Sequence, residues 1–330
     1  MSTLLGSFIG TKKNILLLLI LAVLLALFFI PAFLSKYSVY LLTVVLFTSL
    51  LATSLNISLG YGGMLPLHQT VFFGVGAYAA ALLLNKSPLL PLLSFLAAPL
   101  VSAGVALIIG AICVRLRGLY FGMMTLAIGQ LVWAIVYRWY EFTGGDDGIH
   151  GIAVPDVLHS ISAAYYISLI VVSACLLIIY IILNSPFGIA LQAVRDNPQR
   201  CESIGINIHR HQLIAFVLSG FFSGVAGVLF VILERSVSPS LLFWSESAEL
   251  LIMVLLGGMF TFMGPAFGAT VIIVLEVFLG VITEYWLLVL GTVLVLIILF
   301  LPQGVIGFVQ EKISAGTAVE RKGADRFASG

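Results

Sequence analysis

Glu276 stands near the middle of the apolar run Thr270–Val281, surrounded by Val, Leu, Ile and Phe. A carboxylate in hydrocarbon is costly and is a functional candidate by default. Proton-coupled movement of a solute is the chemistry it would support. No Lys or Arg falls in an apolar run at similar depth, however, so a relay would rest on this one group. A protonated or hydrogen-bonded structural glutamate fits the same pattern. Asn56, His68, Gln69 and Gln130 are the other polar residues set to face a pathway, together with Gly62 and Gly63 in a glycine-rich break. Glu246 and Glu249 fall near the end of an apolar run, where solvent accounts for them. Catalytic machinery is missing: there is no GxxxxGK[ST] phosphate loop and no GxSxG elbow. His68, His150, His159, His209 and His211 make no metal-ligand spacing with carboxylates or cysteines. Any work this chain does must draw on an ion gradient or on another subunit.

The stretch Ser185–His211 offers contact chemistry instead. Ser185 is placed to cap a helix opened by Pro186 and running to about Asp196, and Asn197 to cap a second opened by Pro198. Gly205 sits where a left-handed C-terminal residue is wanted. Arg195, Arg200 and Arg210 keep the segment in water. A polar excursion built as two compact helices reads as a docking surface, where a plain connector would need only slack chain. The segment Thr143–His150, TGGDDGIH, carries Asp146 and Asp147 beside Gly145. Its spacing is not that of a calcium loop, so it reads as a solvated turn, open to contact by an external partner.

These residues need a membrane to position them. Hydrophobic residues make up 61% of the 330 and charged ones 9%, which leaves no charged shell for a soluble core. Runs such as Ile15–Ile30, Tyr165–Leu183 and Leu287–Leu301 approach the roughly 20 residues that cross hydrocarbon as helix. The class expected is an all-α integral membrane protein, a polytopic bundle of about ten spans: 15–34, 38–58, 68–84, 91–114, 119–137, 163–184, 212–233, 247–262, 266–283 and 285–301. Unbroken apolar runs in place of alternation exclude a β-barrel. Residues 1–14 precede one membrane domain, 15–310, which includes the docking stretch 185–211, and a polar tail follows from 311 to 330. The run after Lys12 and Lys13 is long and ends without a small-x-small cleavage site, so it reads as an uncleaved first span. The net charge of +1 gives no sign of nucleic acid, and Cys113, Cys175 and Cys201 imply no disulfide framework.

Two stretches make poor simple helices. Gly60-Tyr61-Gly62-Gly63 is followed by Pro66, and Gly257-Gly258 by Gly264-Pro265. Such breaks are tolerated at membrane depth only where backbone is buried in protein or lines a cavity, and paired breaks point to a transport pathway. The Gly60–Pro66 break reads as cavity lining, whereas Gly74, Gly76 and Gly268 read as packing positions.

The segments Leu55–Leu83, Leu116–Gln130, Phe142–Ile152, Phe187–Asn207, Ser219–Phe230 and Leu256–Ala269 together resemble the membrane subunit of branched-chain amino acid ABC importers, in the longer of its two permease types. The resemblance covers nearly the whole chain in order. It implies a type II ABC importer permease fold, no cofactor, and a bacterial inner-membrane location. The partners it implies are a second homologous permease, two cytoplasmic ATPases and an external solute-binding protein, besides membrane lipid. Arg195, Asn197, Pro198, Glu202 and Gly205 fall on that family's ATPase-coupling segment. At Pro66, His68 and Gln69 the chain departs from the Ser-x-Gly-His order of many members, and related permeases carry urea or short amides. The competing class is a secondary carrier using Glu276.

Lys and Arg set the orientation. With the N-terminus inside, eleven of the fifteen fall on cytoplasmic segments and four (Lys36, Lys86, Arg138 and Arg235) on the opposite face. Both termini and Arg200 are therefore expected in the cytoplasm. In a variant lacking the three native cysteines, Arg200→Cys should resist an impermeant maleimide applied to intact cells and react after permeabilisation. Labelling from outside would refute the topology.

Overall fold

The computed structural model describes residues 34–86, 91–155 and 160–282, with isolated positions outside those ranges. The expected spans 15–34 and 285–301 fall for the most part outside the described residues, as do residues 1–14 and the tail after 310.

The described chain is helical. Helix α1, Lys36–Asn56, continues into a π-helical turn, Ile57–Tyr61; α2 is Thr70–Lys86, α3 Pro91–Cys113, α4 Leu119–Arg138 and α5 the short turn Tyr140–Thr143. After strand β1, Ile149–His150, come α6 (Ile161–Leu183), α7 (Pro186–Asp196), α8 (Pro198–Ser203) and α9 (Ile208–Glu234). Strand β2, Ser236–Val237, and a 3₁₀ turn, Pro239–Leu242, lead into α10 (Trp244–Gly257) and α11 (Gly264–Ile282). Among the described residues, six helices are long and apolar enough to cross a membrane: α1 with its π turn, α3, α4, α6, α9 and α11. Two expected spans are shorter helices, the 17-residue α2 and the 14-residue α10, because the chain breaks beside each. The fold is thus an all-α membrane bundle with interrupted segments.

Local chemistry sets the helix starts. Ser35 accepts from the Ser38 amide at 3.3 Å, and Ser160 from that of Ala163 at 3.1 Å. Asn207 accepts from Arg210 at 3.0 Å and starts α9 at Ile208, four residues before the start expected at 212. One expected cap fails. Ser185 holds the N-cap position of α7, but its hydroxyl donates back to the Ile182 carbonyl at 2.6 Å. Pro186 opens that helix without it.

Helix α9 is the centre of the bundle. Of its most apolar stretch 67% is buried in the chain, against 28% for α4 on the periphery. Its glycines admit neighbouring backbones: a Cβ on Gly224 would lie 3.0 Å from the Pro99 Cα, and one on Gly227 would lie 2.2 Å from the Phe73 carbonyl oxygen. From the α2 side, a Cβ on Gly76 would lie 2.5 Å from the Gly224 Cα. Ser102 of α3 completes the contact by donating to the carbonyls of Phe72 at 2.7 Å and Gly220 at 2.8 Å. Phe72, Phe121 and Phe216 fill the space below with edge-to-face contacts.

Gly76→Val should destabilise the protein by on the order of 1–3 kcal/mol, since the obstacle is backbone that cannot rotate away. Gly104→Ala, with nothing within 4 Å of its Cβ, should be neutral. Thermal unfolding in detergent, followed by size-exclusion profile, measures both, and equal stability of the two would refute the packing account.

Candidate functional site

Both chain breaks are real, and they meet. The π turn arises where the Gly62 amide reaches back five residues to the Ile57 carbonyl at 3.0 Å, and Gly63 then turns left-handed at φ +64°. The second break begins at Gly258, φ +115°, and ends where Gly264 starts α11. Asn56 donates its amide to the Thr261 carbonyl at 3.2 Å, and a Cβ on Gly60 would stand 1.9 Å from the Met259 carbonyl oxygen. Gly60 and Gly62 are buried, so this break packs against protein as much as it borders open space. A small cavity of about 160 Å³ lies beside it, lined by Gly62, Gly63, Met64, Arg117 and Arg195.

From the first break the chain re-enters the bundle, where its polar side chains are paired apart from Gln69 Oε1, which is buried without a partner. His68 and Gln69 are both buried. Gln69 donates to the hydroxyls of Ser219 and Ser223, each at 2.7 Å, while Ser219 donates to the Ser54 carbonyl at 2.6 Å and Ser223 shares a 2.8 Å bond with Ser54. The ring of His68 lies 2.7 Å from the Leu242 carbonyl and 3.4 Å from that of Leu126, with Gly129 leaving room for it. The hydroxyl of Ser247, on α10, accepts from the Thr70 amide at 3.0 Å, so the break at one helix start is closed by another helix. The serines were not singled out from the sequence. Their signal is the i, i+4 spacing of Ser219 and Ser223 on one face of α9.

The remaining pathway candidates stand apart from this cluster. Gln130, on peripheral α4, has a buried amide nitrogen without a partner. Glu276 lies twelve residues beyond Gly264 (276 − 264), about 18 Å along α11. It lines an open cleft of about 350 Å³ with Tyr37, Tyr40 and Val44 of α1. Helix α11 packs along α10, which carries Glu246 and Glu249.

The segment after α6 forms the two expected helices. Asn197 caps α8 by accepting from the Arg200 amide at 3.1 Å, Pro198 opens it, and Gly205 ends it at φ +85°. Val194, Cys201 and Ile208 close a small core beneath the pair. Arg200, Glu202 and Gly205 are exposed at the tip beside Ile204, whose relative exposure is 76%. Arg195 faces the other way. Its Nη1 donates to the Gly60 carbonyl at 2.6 Å, and its guanidinium lies 5.1 Å from the Phe260 ring centroid.

On the far side, the TGGDDGIH loop is more constrained than a solvated turn. Gly144, Gly145, Gly148 and Gly151 all have positive φ, and β1 pairs antiparallel with β2, Ile149 opposite Val237. Tyr140 donates to Asp146, a bond that holds its phenol above the ordinary pKa. Asp146 and Asp147 are left exposed while Gly145 is buried.

Residues 37–298 match the family model described as branched-chain amino acid transport system, permease component. The chain belongs to that family. It is therefore a transport subunit and not an enzyme. This permease is 31% identical to the high-affinity branched-chain amino acid transport system permease protein LivM of Salmonella typhimurium, across 95% of this chain and 79% of that one. Identity to the Escherichia coli LivM is 30% over the same shares. The guanosine ABC transporter permease protein NupQ of Bacillus subtilis is 26% identical over 48% of the permease and 50% of its own length. No solved structure gives a significant match.

Gln69→Leu should cost on the order of 1–3 kcal/mol, because it strips a buried donor pair from two serine oxygens. Adding Ser223→Ala should cost less than the sum of the single changes, since both break one network. Unfolding by SDS titration reads the coupling, and strict additivity would dissolve the network.

Proposed function

We propose that this chain is the permease half of an ATP-driven importer of branched-chain or other apolar amino acids in a bacterial cytoplasmic membrane. It works with a second homologous permease, two cytoplasmic ATPases and an extracytoplasmic solute-binding protein. The substrate class follows the LivM relatives, whose names carry it. The observation that carries the mechanism is the compact α7–α8 pair, with its own small core and an exposed tip at Arg200, Glu202 and Gly205. Such a pair transmits a push where a slack loop would absorb it. In this reading the chain crosses ten times: the six long helices, α2, α10 and the runs 15–34 and 285–301. Both termini are then cytoplasmic, with residues 15–310 as the membrane domain.

ATP draws the ATPases together, α7 and α8 move with them, and the cavity between paired permeases changes the side to which it opens. Asn56, Gly62, Gly63, His68 and Gln69 border that pathway on the break and its re-entrant loop, with Gln130 and Glu276 farther out. Their packing here means that the route opens only when the junction of the two breaks shifts. Asp146 and Asp147 form the outer contact for the solute-binding protein, on a turn shaped by the buried Gly145.

The carboxylates Glu246 and Glu249 near Glu276 favour one second reading, an ion-coupled carrier. The two readings part at Glu276→Gln. In the ATP-driven reading the variant keeps substantial uptake per folded protein, and a protonophore has no effect while ATP is held constant. Complete loss of transport with normal folding, or uptake abolished by the protonophore, would favour the carrier.

A further inference from the structure

Arg195 is where the cytoplasmic helix pair touches both chain breaks. At the end of α1 the carbonyls of Ile57, Ser58 and Leu59 take the amides of Gly62, Met64 and Gly63, and the next carbonyl, Gly60, takes the Arg195 guanidinium at 2.6 Å. The same group lies 5.1 Å from the Phe260 ring centroid, in the turn between α10 and α11. Its Nη2 and Nε both reach Asp196 Oδ1 at 2.8 Å, which keeps the charge paired while the fork points inward. The seat is fitted to the side chain: a Cβ on Gly63 would lie 2.6 Å from the Arg195 Cγ. Only 24% of the side chain is exposed.

We propose that Arg195 is a positioning residue of the transport cycle, carrying displacement of α7 and α8 to the junction of the two breaks. The proposal rests on the ABC importer reading and gives Arg195 a task inside the chain, distinct from contact with the ATPase surface. Three features carry it. The α7–α8 pair is internally braced by the Asn197 cap and the Val194–Cys201–Ile208 core, so a push on its tip is not absorbed there. The two breaks are where the backbone yields most readily, being built on a π turn and on glycines at positive φ. The link between them is a charge-assisted bond, stronger than a neutral one, and its planar fork serves a carbonyl, a ring face and a carboxylate at once. Lysine could serve one of those at a time.

The test uses the assembled transporter in proteoliposomes, with the native cysteines replaced and Met259→Cys as reporter. Arg195→Gln is expected to retain the ATPase subunits on purification. ATP consumed per solute imported should rise on the order of ten-fold, and maleimide labelling at position 259 from the cytoplasmic side should accelerate several-fold. A merely structural loss would lower hydrolysis and uptake together and leave their ratio unchanged. Arg195→Lys should fall between wild type and Gln on both readouts, and Arg200→Gln, on the exposed tip, should leave labelling at 259 unchanged. Loss of the ATPase subunits with unchanged labelling would make Arg195 a docking contact and overturn the proposal, as would an unchanged ATP-to-solute ratio in an intact complex. Where Arg195→Gln fails to assemble, Phe260→Leu removes the ring and leaves α7 untouched. It should show the same changes at smaller amplitude, and unchanged labelling there overturns the proposal. Labelling is read without ATP, so faster labelling in a chain that proves ion-coupled removes the importer reading alone.

Discussion

Helices in lipid gain little from hiding apolar side chains from one another, because the hydrocarbon around them is equally apolar. What holds this bundle is backbone brought close enough for dispersion and for hydrogen bonds that a side chain would block. Gly220, Gly224 and Gly227 on α9 provide that approach, and Gly76 of α2 meets them from the other side. The candidate functional elements hang from this seam. Ser219 and Ser223 lie on the same helix and hold Gln69 of the re-entrant loop, and the far end of α9 is anchored by Asn207 next to α8. The outer end is tied through β2 to the TGGDDGIH loop. One helix thus connects the α7–α8 pair, the polar interior and the TGGDDGIH loop.

Stiff and yielding parts are segregated. The α7–α8 pair is short, capped and cored, and His211 stacks on Phe187 at 5.7 Å to fix it to the start of α9. The breaks at 57–63 and 258–263 place glycine backbone against backbone carbonyls, where small rotations change which groups are paired. The two kinds of material touch where Arg195 of α7 meets the Gly60 carbonyl.

The sequence revealed what local chemistry decides. Pro186, Asn197, Pro198 and Gly205 mark two short helices because a missing N–H, a side-chain acceptor and a left-handed residue each act within one turn. The glycine breaks were equally readable, since few other residues tolerate those backbone angles. Long-range geometry was not. Arg195 reads as one more solvating charge, and only the fold turns it inward to a carbonyl 135 positions away. The buried serines looked unremarkable within an apolar helix, and Ser185 had two possible partners between which the sequence cannot choose. Boundaries erred where a cap was overlooked, as at Asn207. They erred also where hydropathy continued through a break, as at the end of α10. Glu276 could be flagged as costly, but its carboxylate neighbours on α10 come from the antiparallel pairing of α10 with α11.

The π turn at Ile57–Tyr61 has a consequence for how chains of this kind diverge in length. A π turn is an α-helix holding one surplus residue, absorbed locally and not passed along the axis. Deleting one residue there would let the helix run on as plain α, with the side chains beyond it keeping their places around the axis. What would change is the local pairing: in a helix that ran on as plain α, the Gly60 carbonyl would accept the amide four residues on, where it now accepts from Arg195. Among homologous chains, a one-residue gap falling between 57 and 61 therefore marks a change at the junction itself and leaves the contacts on either side of it comparable.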